Sequence, residues 1–480
     1  MRANEHLPIG TGATGTRAES DAIGVIDVPA EHYWGAQTQR SLQNFTIGED
    51  RMPILLYRAY GLVKKAAALV NAASGDLDAD LADAIVRACD EVAAGDLDDE
   101  FPLRVWQSGS GTQSNMNVNE VVANRASQIL GGELGSKRPV HPNDHVNMGQ
   151  STNDTFPTAM HVATLLAIRE RTLPQLDALA DAVRAKAVQW VDVVKIGRTH
   201  LQDATPLTVG QEWSGWERQL RDARGRLDAS LAAVCELAAG GTAVGTGLNA
   251  PEGFGEAVAA RLAELTGLPL VTAPNKFAAL GSLDGMVAVS AGLRGVAVAL
   301  MKVANDMRWL ASGPRSGLRE LRLPANEPGS SIMPGKVNPT QQEATVMVCL
   351  QVIGEDSIVA AAGSQGTFEL NTMRPIVIGN VLHSARILGD AAEQLRVHSV
   401  EGTELDEEGI ATHLDRSLML VTALSPHIGY DRAAAIAHKA DHDGSTLKEA
   451  AIALGVDEAE FDRIVDPATM VGDPRRDLGL

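Results

Sequence analysis

Aromatic residues are scarce: Phe, Trp and Tyr make up 4% of the 480 residues, although hydrophobic residues of all kinds make up 45%. The strands of β-sandwiches are enriched in aromatic and β-branched side chains. Abundant Ala, Leu and Val instead favour packed helices. The 21% of charged residues are typical of a folded protein, and the length predicts two or three domains. We therefore expect a mainly α protein.

Basic residues are also in deficit. The chain has 41 Lys and Arg against 61 Asp and Glu, which gives a formal net charge of −20. This balance argues against nucleic acid or an anionic membrane as a partner. An anionic substrate would need local donors, such as helix N-termini, a lysine or an arginine, to offset the overall field.

Cysteine is rare. Cys89, Cys235 and Cys349 lie far apart in the sequence, in apolar segments. Their spacing matches neither a metal site nor a disulfide framework, so we expect a reducing compartment. We predict neither a metal nor a cofactor.

Long apolar runs are missing. The best candidate, Met286–Val303, is interrupted by Ser290 and Arg294. The first residues, Met1–Thr16, contain no apolar signal core and are typical of a loose tail. These observations predict a soluble cytoplasmic protein without a membrane partner.

Gly and Pro divide the chain into three predicted domains. They are a mixed, mostly helical domain at 1–149, with 1–16 as the loose tail, a central long-helix domain at 150–407, and a small helical domain at 408–480. Apolar residues follow a helical period from Leu176 to Trp190 and from Leu293 to Leu310. A further helix is predicted to begin at Asn338-Pro339. Helices that are apolar on several faces, such as Gly295–Ala304, imply a bundle core or an obligate oligomer.

Four polar loops interrupt the helical pattern, and sites are often built on such loops. The first, Ser108–Asn117, has two glycines that allow close backbone approach, and neutral donors at Ser110, Thr112 and Asn115. An ordinary Ser/Gly loop with an Asx turn is the alternative interpretation. The loop is not a dinucleotide-binding motif, because the G-x-G-x-x-G spacing is missing.

The second loop runs from Arg138 to Asp154. Ser151–Asn153 precede a helical pattern, so they can cap a helix and also offer N–H groups to a carboxylate. His141 and His145 suggest a metal only superficially, because a Pro-containing loop offers no helix to align them. An anion site using Arg138 and His141 fits this loop better.

The third loop contains His200, between a predicted helix end and the turn at Pro206. Most lone histidines are structural or solvated, but the titration range of histidine suits a proton shuttle. The fourth loop, Gly329–Pro339, joins two serines to Lys336 and Asn338. It has neither the Gly-x-Ser-x-Gly elbow nor P-loop spacing. We interpret one serine as a base, and Lys336 and Asn338 as donors to a carboxylate whose charge grows in the transition state.

These four loops, in this order, resemble the fumarase/aspartase superfamily, and most closely its class II fumarases. Gly329-Ser-Ser-Ile-Met-Pro334 is similar to the superfamily signature, which does not choose among its members. The choice comes from Trp106–Asn119, from Asn326-Glu-Pro-Gly329 and above all from His200, where aspartases generally carry Gln. The resemblance extends over nearly the whole chain.

The resemblance implies a three-domain fold with a central long-helix bundle that forms a 20-helix core in a homotetramer, and active sites shared by three subunits. It implies Ser330 as the base, and His200, assisted by Glu343, as the group that handles the departing hydroxyl. The implied substrate-binding residues are Ser110, Gly111, Thr112, Ser151, Thr152, Asn153, Thr199, Ser331, Lys336, Val337 and Asn338. A second anion site is implied at Arg138, His141, Pro142, Asn143 and Asp144.

The implied reaction is the reversible anti addition of water that interconverts fumarate and (S)-malate in the tricarboxylic acid cycle, through an aci-carboxylate carbanion. It needs no metal or redox cofactor. Two alternatives remain: an aspartate ammonia-lyase of the same superfamily, and a structural relative without activity. The presence of Ser330, Lys336, Asn338 and His200 argues against the second.

Overall fold

The computed structural model of the chain describes residues 7–480, and its architecture is mainly α, as predicted. The helices of four or more residues with α geometry are α1 Ala36–Asn44, α2 Ile54–Ser74, α3 Ala79–Ala94, α4 Thr112–Ile129, α5 Thr152–Ala167, α6 Leu173–Gln189, α7 Val209–Ser230, α8 Phe254–Thr266, α9 Lys276–Gly281, α10 Asp284–Leu310, α11 Thr340–Gly363, α12 Arg374–Leu395, α13 Glu407–Arg416, α14 Ser425–Ile428, α15 Tyr430–Asp443, α16 Leu447–Ala453, α17 Glu458–Ile464 and α18 Pro474–Asp477.

The strands in residues 7–480 form only two-stranded sheets. Three pairs are antiparallel and one is parallel. The antiparallel pairs are β1 Thr16–Ser20 with β2 Val25–Pro29, β3 Val194–Thr199 with β4 Gln202–Thr208, and β7 Leu321–Arg322 with β8 Glu404–Leu405; the parallel pair is β5 Glu236–Leu237 with β6 Val271–Thr272.

The chain divides into two compact units, each built from separate stretches of sequence. Of the described residues, unit 1 contains 7–173, 226–295 and 351–388, and unit 2 contains 174–225, 296–350 and 389–480. The two units do not follow the predicted boundaries at 149 and 407. The three-domain division stays a prediction.

In unit 1, α2 packs against α3 and α5, and its buried face includes Leu56, Tyr57 and Tyr60.

Part of the predicted loose tail, Met1–His6, lies outside the described residues. The rest begins against α4, because the Arg125 guanidinium donates to the carbonyls of Leu7 and Pro8 at 2.7 and 3.2 Å. Hydrogen bonds therefore fix the first described residues of the predicted tail, Leu7 and Pro8.

In unit 2, α6 begins with Pro174 in its first turn, and its predicted apolar stripe from Leu176 to Trp190 is buried. The C-terminal helices enclose a hydrophobic cluster of their own, which contains Leu424, Ile436 and Phe461 among other residues. The apolar stripe of α10 is buried as predicted, and this helix ends at Leu310, just before Ser312-Gly313-Pro314.

Two helices, α10 and α11, are long and apolar enough to cross a membrane by length and composition. Ser290 and Arg294, read from the sequence as an interruption, therefore do not exclude α10 by composition. Both polar residues bond Asp356 of α11: Ser290 Oγ lies 2.7 Å and an Arg294 nitrogen 2.6 Å from its carboxylate. The core helix of a folded protein passes the same test. Half of the apolar stretch of α10 and a third of that of α11 are buried within the chain, and the pairing of Arg294 with Asp356 is typical of charged residues inside a protein.

Candidate active site

The first loop ends at the N-terminus of α4. Gly111 precedes the helix with φ of 82°, and a Cβ there would lie 2.0 Å from the Phe156 ring. Thr112, the first helical residue, is exposed, and its hydroxyl lies 2.9 Å from that of Ser110. The first N–H groups of a helix have no partner within the helix and attract carboxylates, so the position of Ser110, Gly111 and Thr112 is consistent with their predicted role in substrate binding.

The second loop ends at the N-terminus of α5, where Ser151 caps the helix. Its Oγ accepts from the Asn153 N–H at 3.2 Å, and the Asp154 carboxylate accepts from the Ser151 N–H at 3.0 Å, a complete capping box. Burial raises the pKa of Asp154, while N–H donors from Ser151, Thr242 and Gly240 oppose the rise. The predicted capping role is confirmed, and it leaves Thr152 in the first turn.

Asn115 joins these two helix starts. Its side-chain amide donates to Thr152 Oγ1 at 2.9 Å, and both residues are buried. The first two predicted loops thus form one polar surface within unit 1.

The predicted second anion site is built around a short π-helical turn, Pro142–Val146. His141 Nδ1 accepts from the N–H groups of Asn143 and Asp144, both at 3.1 Å, and His145 Nδ1 accepts from the His141 N–H at 2.9 Å. Arg138, Asn143 and Asp144 are exposed, and Pro142 is buried. In residues 7–480 no group of three or more His, Cys, Asp or Glu is arranged to hold a metal ion.

His200 lies at the tip of the hairpin formed by β3 and β4, and not between a helix end and a turn as the sequence suggested. Thr199 pairs with Gln202, so His200 and Leu201 form a two-residue turn with φ of 57° and 59°. Such turns strongly prefer Asn and Gly, because other residues are strained at positive φ. The hairpin therefore holds an exposed imidazole at some conformational cost, which is common at functional sites.

A buried ion network holds the base of this hairpin. Lys195 Nζ lies 2.8 Å from Glu212 Oε1 and 2.7 Å from Glu320 Oε2. The other Glu320 oxygen lies 2.6 Å from the Arg198 guanidinium, two residues before His200. Burial raises the pKa of Glu212, and the Lys195 charge opposes the rise.

The fourth loop is compact and exposed. Ser330 Oγ accepts from the N–H groups of Ile332 and Met333 at 3.2 and 3.0 Å. Gly329 is required by shape, because a Cβ there would lie 2.1 Å from the Lys336 carbonyl oxygen. Asn338 donates to the Gly329 carbonyl and closes the loop.

The helix after this loop, α11, begins at Thr340, two residues beyond the predicted cap, because the Glu343 N–H bonds to the Pro339 carbonyl at 3.0 Å. Glu343 is exposed in its first turn. Ser331, Lys336 and Val337 are exposed as well, and Asn338 is half-buried.

Comparison with known proteins identifies the family of the chain. The profile of the family described as Lyase matches residues 24–354, and that described as Fumarase C C-terminus matches 420–472. "Fumarate hydratase class II" of Methanosarcina acetivorans is 66% identical over 475 residues, which are 99% of this chain and 98% of that protein. The chain belongs to the class II fumarate hydratase family.

Other family members agree. The class II fumarate hydratase of Myxococcus xanthus is 59% identical over 457 residues, which are 95% of this chain and 98% of that protein. The crystal structure of class II fumarase from Schistosoma mansoni matches with a TM-score of 0.93 at 45% identity, covering 95% of this chain and 99% of that one. The fumarase-like fold and the lyase class are therefore confirmed.

Within this family member, the predicted site residues fall into two groups. The substrate-binding residues from Ser110 to Asn153 and the second anion site lie in unit 1, whereas Thr199, His200, the Ser330 loop and Glu343 lie in unit 2. The described contacts within unit 2 do not join Ser330 to His200.

Sequence reasoning missed two buried cations that contact the first two predicted loops in unit 1. Arg374, fully buried at the start of α12, donates to the carbonyls of Asn153 and Leu280 at 2.8 and 2.9 Å. Its own N–H donates to the Gly109 carbonyl at 3.2 Å, so Arg374 ties both loops together. The second is Lys64 of α2, which lies four residues after Tyr60 on the buried face. This helical spacing was the available signal.

Proposed function

We propose that this chain catalyses the reversible anti addition of water to fumarate, giving (S)-malate, by way of an aci-carboxylate carbanion. The relatives named above carry the name fumarate hydratase. The observation on which the proposal depends most is the setting of Ser330, whose Oγ accepts two backbone N–H groups.

Ser330 is the proposed base that removes a proton from C3 of malate. Hydrogen bonds to the charged form of a group favour that form, so the two N–H donors favour a deprotonated Oγ. A C3–H beside a carboxylate is a poor acid, and the developing dianion needs donors of its own. Lys336, Val337 and Asn338 supply them from the same loop, together with Ser331; such donors typically contribute about 2.7–4 kcal/mol each.

The substrate carboxylates are proposed to bind the two helix starts of unit 1. The N-terminus of a helix carries unpaired N–H groups and a partial positive charge of about half a unit. The starts of α4 and α5 thus offer local attraction to a dianion in a chain of net charge −20. The members of this proposed set at the two helix starts are Ser110, Gly111, Thr112, Ser151, Thr152 and Asn153. Thr199, at the end of β3 in unit 2, is also proposed to bind substrate.

His200, assisted by Glu343, is the proposed group for the departing hydroxyl. Anti elimination requires the base and the acid to lie on opposite faces of the substrate. This arrangement is achieved if Ser330 and His200 of one site come from different chains. We propose a homotetramer with active sites shared by three subunits. The chemistry we assign to Ser330, Lys336 and His200 calls for no metal or redox cofactor.

The exposed apolar residues of α11 support an oligomer. Met347 and Leu350 are 64% and 58% exposed, and only a third of the apolar stretch of this helix is buried within the chain. Apolar helix faces of this kind are covered in stable proteins. We further propose a cytoplasmic location, a role in the tricarboxylic acid cycle, and a second anion site at Arg138, His141, Pro142, Asn143 and Asp144.

A direct assay tests the proposed reaction. The ultraviolet absorbance of fumarate should rise when the purified chain is given (S)-malate and stay flat with L-aspartate. A rise with L-aspartate alone would identify an aspartate ammonia-lyase. No rise with either substrate would favour the structural relative without activity.

Replacement of His200 tests the hydroxyl-handling role. We expect His200→Asn to lower kcat for malate dehydration about 100-fold, since a positioned general acid typically contributes about 10²–10⁴-fold. Steady-state kinetics at fixed pH would measure the loss, and light scattering would verify an unchanged assembly. Asn tolerates positive φ, so the hairpin should survive. A kcat within about threefold of the parent value would contradict the role, because a general acid contributes far more than that.

A further inference from the structure

Lys64 of α2 is a buried cation whose hydrogen-bond partners are neutral. Its side chain is 1% exposed, and its Nζ donates to Asn147 Oδ1 and to Gln150 Oε1, each at 2.9 Å. Burying an ammonium group is costly unless it is paired or well hydrogen-bonded. A lysine in such a position calls for a role beyond packing, because an apolar side chain would fill the same space at a lower free-energy cost.

The two amides that bind Lys64 shape the loop before α5. Asn147 Oδ1 also accepts from the Asn115 amide at 3.3 Å, while its Nδ2 donates to the Gln150 carbonyl at 3.2 Å. The Gln150 Nε2 donates to the carbonyl of Met148 at 3.1 Å. The segment from Asn147 to Gln150 is therefore folded around the Lys64 ammonium.

This segment leads directly into the proposed carboxylate site. Gln150 precedes Ser151, the cap of α5, and Asn115 donates to Thr152 Oγ1 with the same Nδ2 that reaches Asn147. Asn147, Gln150 and Ser151 line one side of an open cleft with a volume of about 390 Å³. Lys64 lies beneath this cleft, one hydrogen bond away from residues that line it.

We propose that Lys64 is a positioning residue for the dicarboxylate site. Its ammonium fixes Asn147 and Gln150 from below and so positions the Ser151 cap and the first turn of α5, which are proposed to receive a substrate carboxylate. This inference rests on the proposed function and adds to it a residue that does not touch substrate.

The protonation of Lys64 gives this role a pH dependence. The groups that face it are Tyr60 on its own helix, Cys89 on α3 and Asp154 on α5. Burial lowers the pKa of Lys64 to about 7, and the charge of Asp154 opposes the shift. The ammonium is therefore present below about pH 7 and is lost as the pH rises through that value. Its contribution to the loop is greatest at low pH.

Lys64→Met removes the charge and keeps the length of the side chain. The matched control is Lys65→Met, one position along the same helix, where Lys65 pairs with Asp90 at 2.6 Å near the surface. We expect Lys64→Met to raise KM for (S)-malate about 10- to 100-fold at about pH 6, the range typical of losing a supporting partner. The ratio of mutant to parent KM should fall below about 3 at about pH 8.5, because the parent loses its charge there as well. Lys65→Met should leave KM unchanged at both pH values.

Hydrogen exchange gives a readout that does not depend on turnover. In Lys64→Met, amides of the peptide 147–154 should exchange about tenfold faster at about pH 6, because the loop loses a supporting interaction. The rest of α5 and the whole of Lys65→Met should exchange as the parent does.

The outcomes separate the two hypotheses. Unchanged exchange in 147–154, or a KM ratio equal at both pH values with a lower Tm, would refute the positioning role and leave Lys64 as a structural residue. If the parent chain turns over neither fumarate nor malate, the proposed function fails, and the exchange measurement alone decides whether Lys64 orders the loop.

Discussion

Ser330→Ala is expected to lower kcat for malate dehydration about 10³-fold, within the range of about 10²–10⁴-fold that a positioned base contributes. The loss should fall on kcat, with KM nearly unchanged, because the Oγ contributes to proton transfer and little to ground-state binding. The N–H groups of Ile332 and Met333 would lose their acceptor, but both residues are exposed, so water can replace it. Stopped-flow and steady-state assays of fumarate absorbance would measure the change.

Ser331→Ala is the matched control in the same loop. Ser331 belongs to the proposed substrate-binding set, so its loss should raise KM more than it lowers kcat. Both variants lose a serine hydroxyl from the same loop, so they differ only in which hydroxyl is removed. A Ser330→Ala enzyme with kcat within about threefold of the parent would show that another group removes the C3 proton.

The double variant Met347→Glu with Leu350→Glu is expected to dissociate the proposed tetramer and reduce activity at least about 100-fold. Both side chains project from α11 and are more than half exposed in the single chain. In an apolar interface each new carboxylate would lose its hydration without gaining a partner, which costs several kcal/mol. Multi-angle light scattering would report the mass, and fumarate absorbance the activity at the same protein concentration.

Ile452→Glu serves as the control for this experiment. Ile452 is 42% exposed on the short helix α16, which packs against α15 and α17. It should change neither mass nor turnover. A double variant of α11 that stays tetrameric would exclude this helix from the interface, and a dissociated but fully active chain would contradict sites shared between subunits.

The sequence predicted the helices best where a long apolar period repeats. The stripes from Leu176 to Trp190 and from Leu293 to Leu310 are buried as expected. The Ser151 cap was likewise predictable, because capping depends on residues within one turn. Local chemistry of this kind is visible in one stretch of sequence.

The hairpin that carries His200 was not predicted. Its turn contains His and Leu at positive φ, where propensity favours Asn and Gly. Its base is held by Glu212 and Glu320, which come from distant parts of the chain. Tertiary contacts therefore override the local preference, and a single sequence does not reveal them.

The supporting cations were missed for a related reason. Lys64 and Arg374 stand among apolar neighbours, and a charged residue in such a pattern is more often assigned to the solvated face of a helix. Their partners lie about 80 and 220 residues away, as the contacts of Lys64 to Asn147 and of Arg374 to Asn153 show. Only the fold brings them under the site.

Arg374 also determines when the site can form during synthesis. Its backbone N–H holds the Gly109 carbonyl and its guanidinium holds the Asn153 carbonyl. A nascent chain that carries both loops but has not yet reached residue 374 of 480 lacks these bonds. Domains tend to fold as the ribosome releases them, starting from the N-terminal end. The helices around these loops can thus form early, whereas the proposed carboxylate-binding surface is completed only when α12 has emerged.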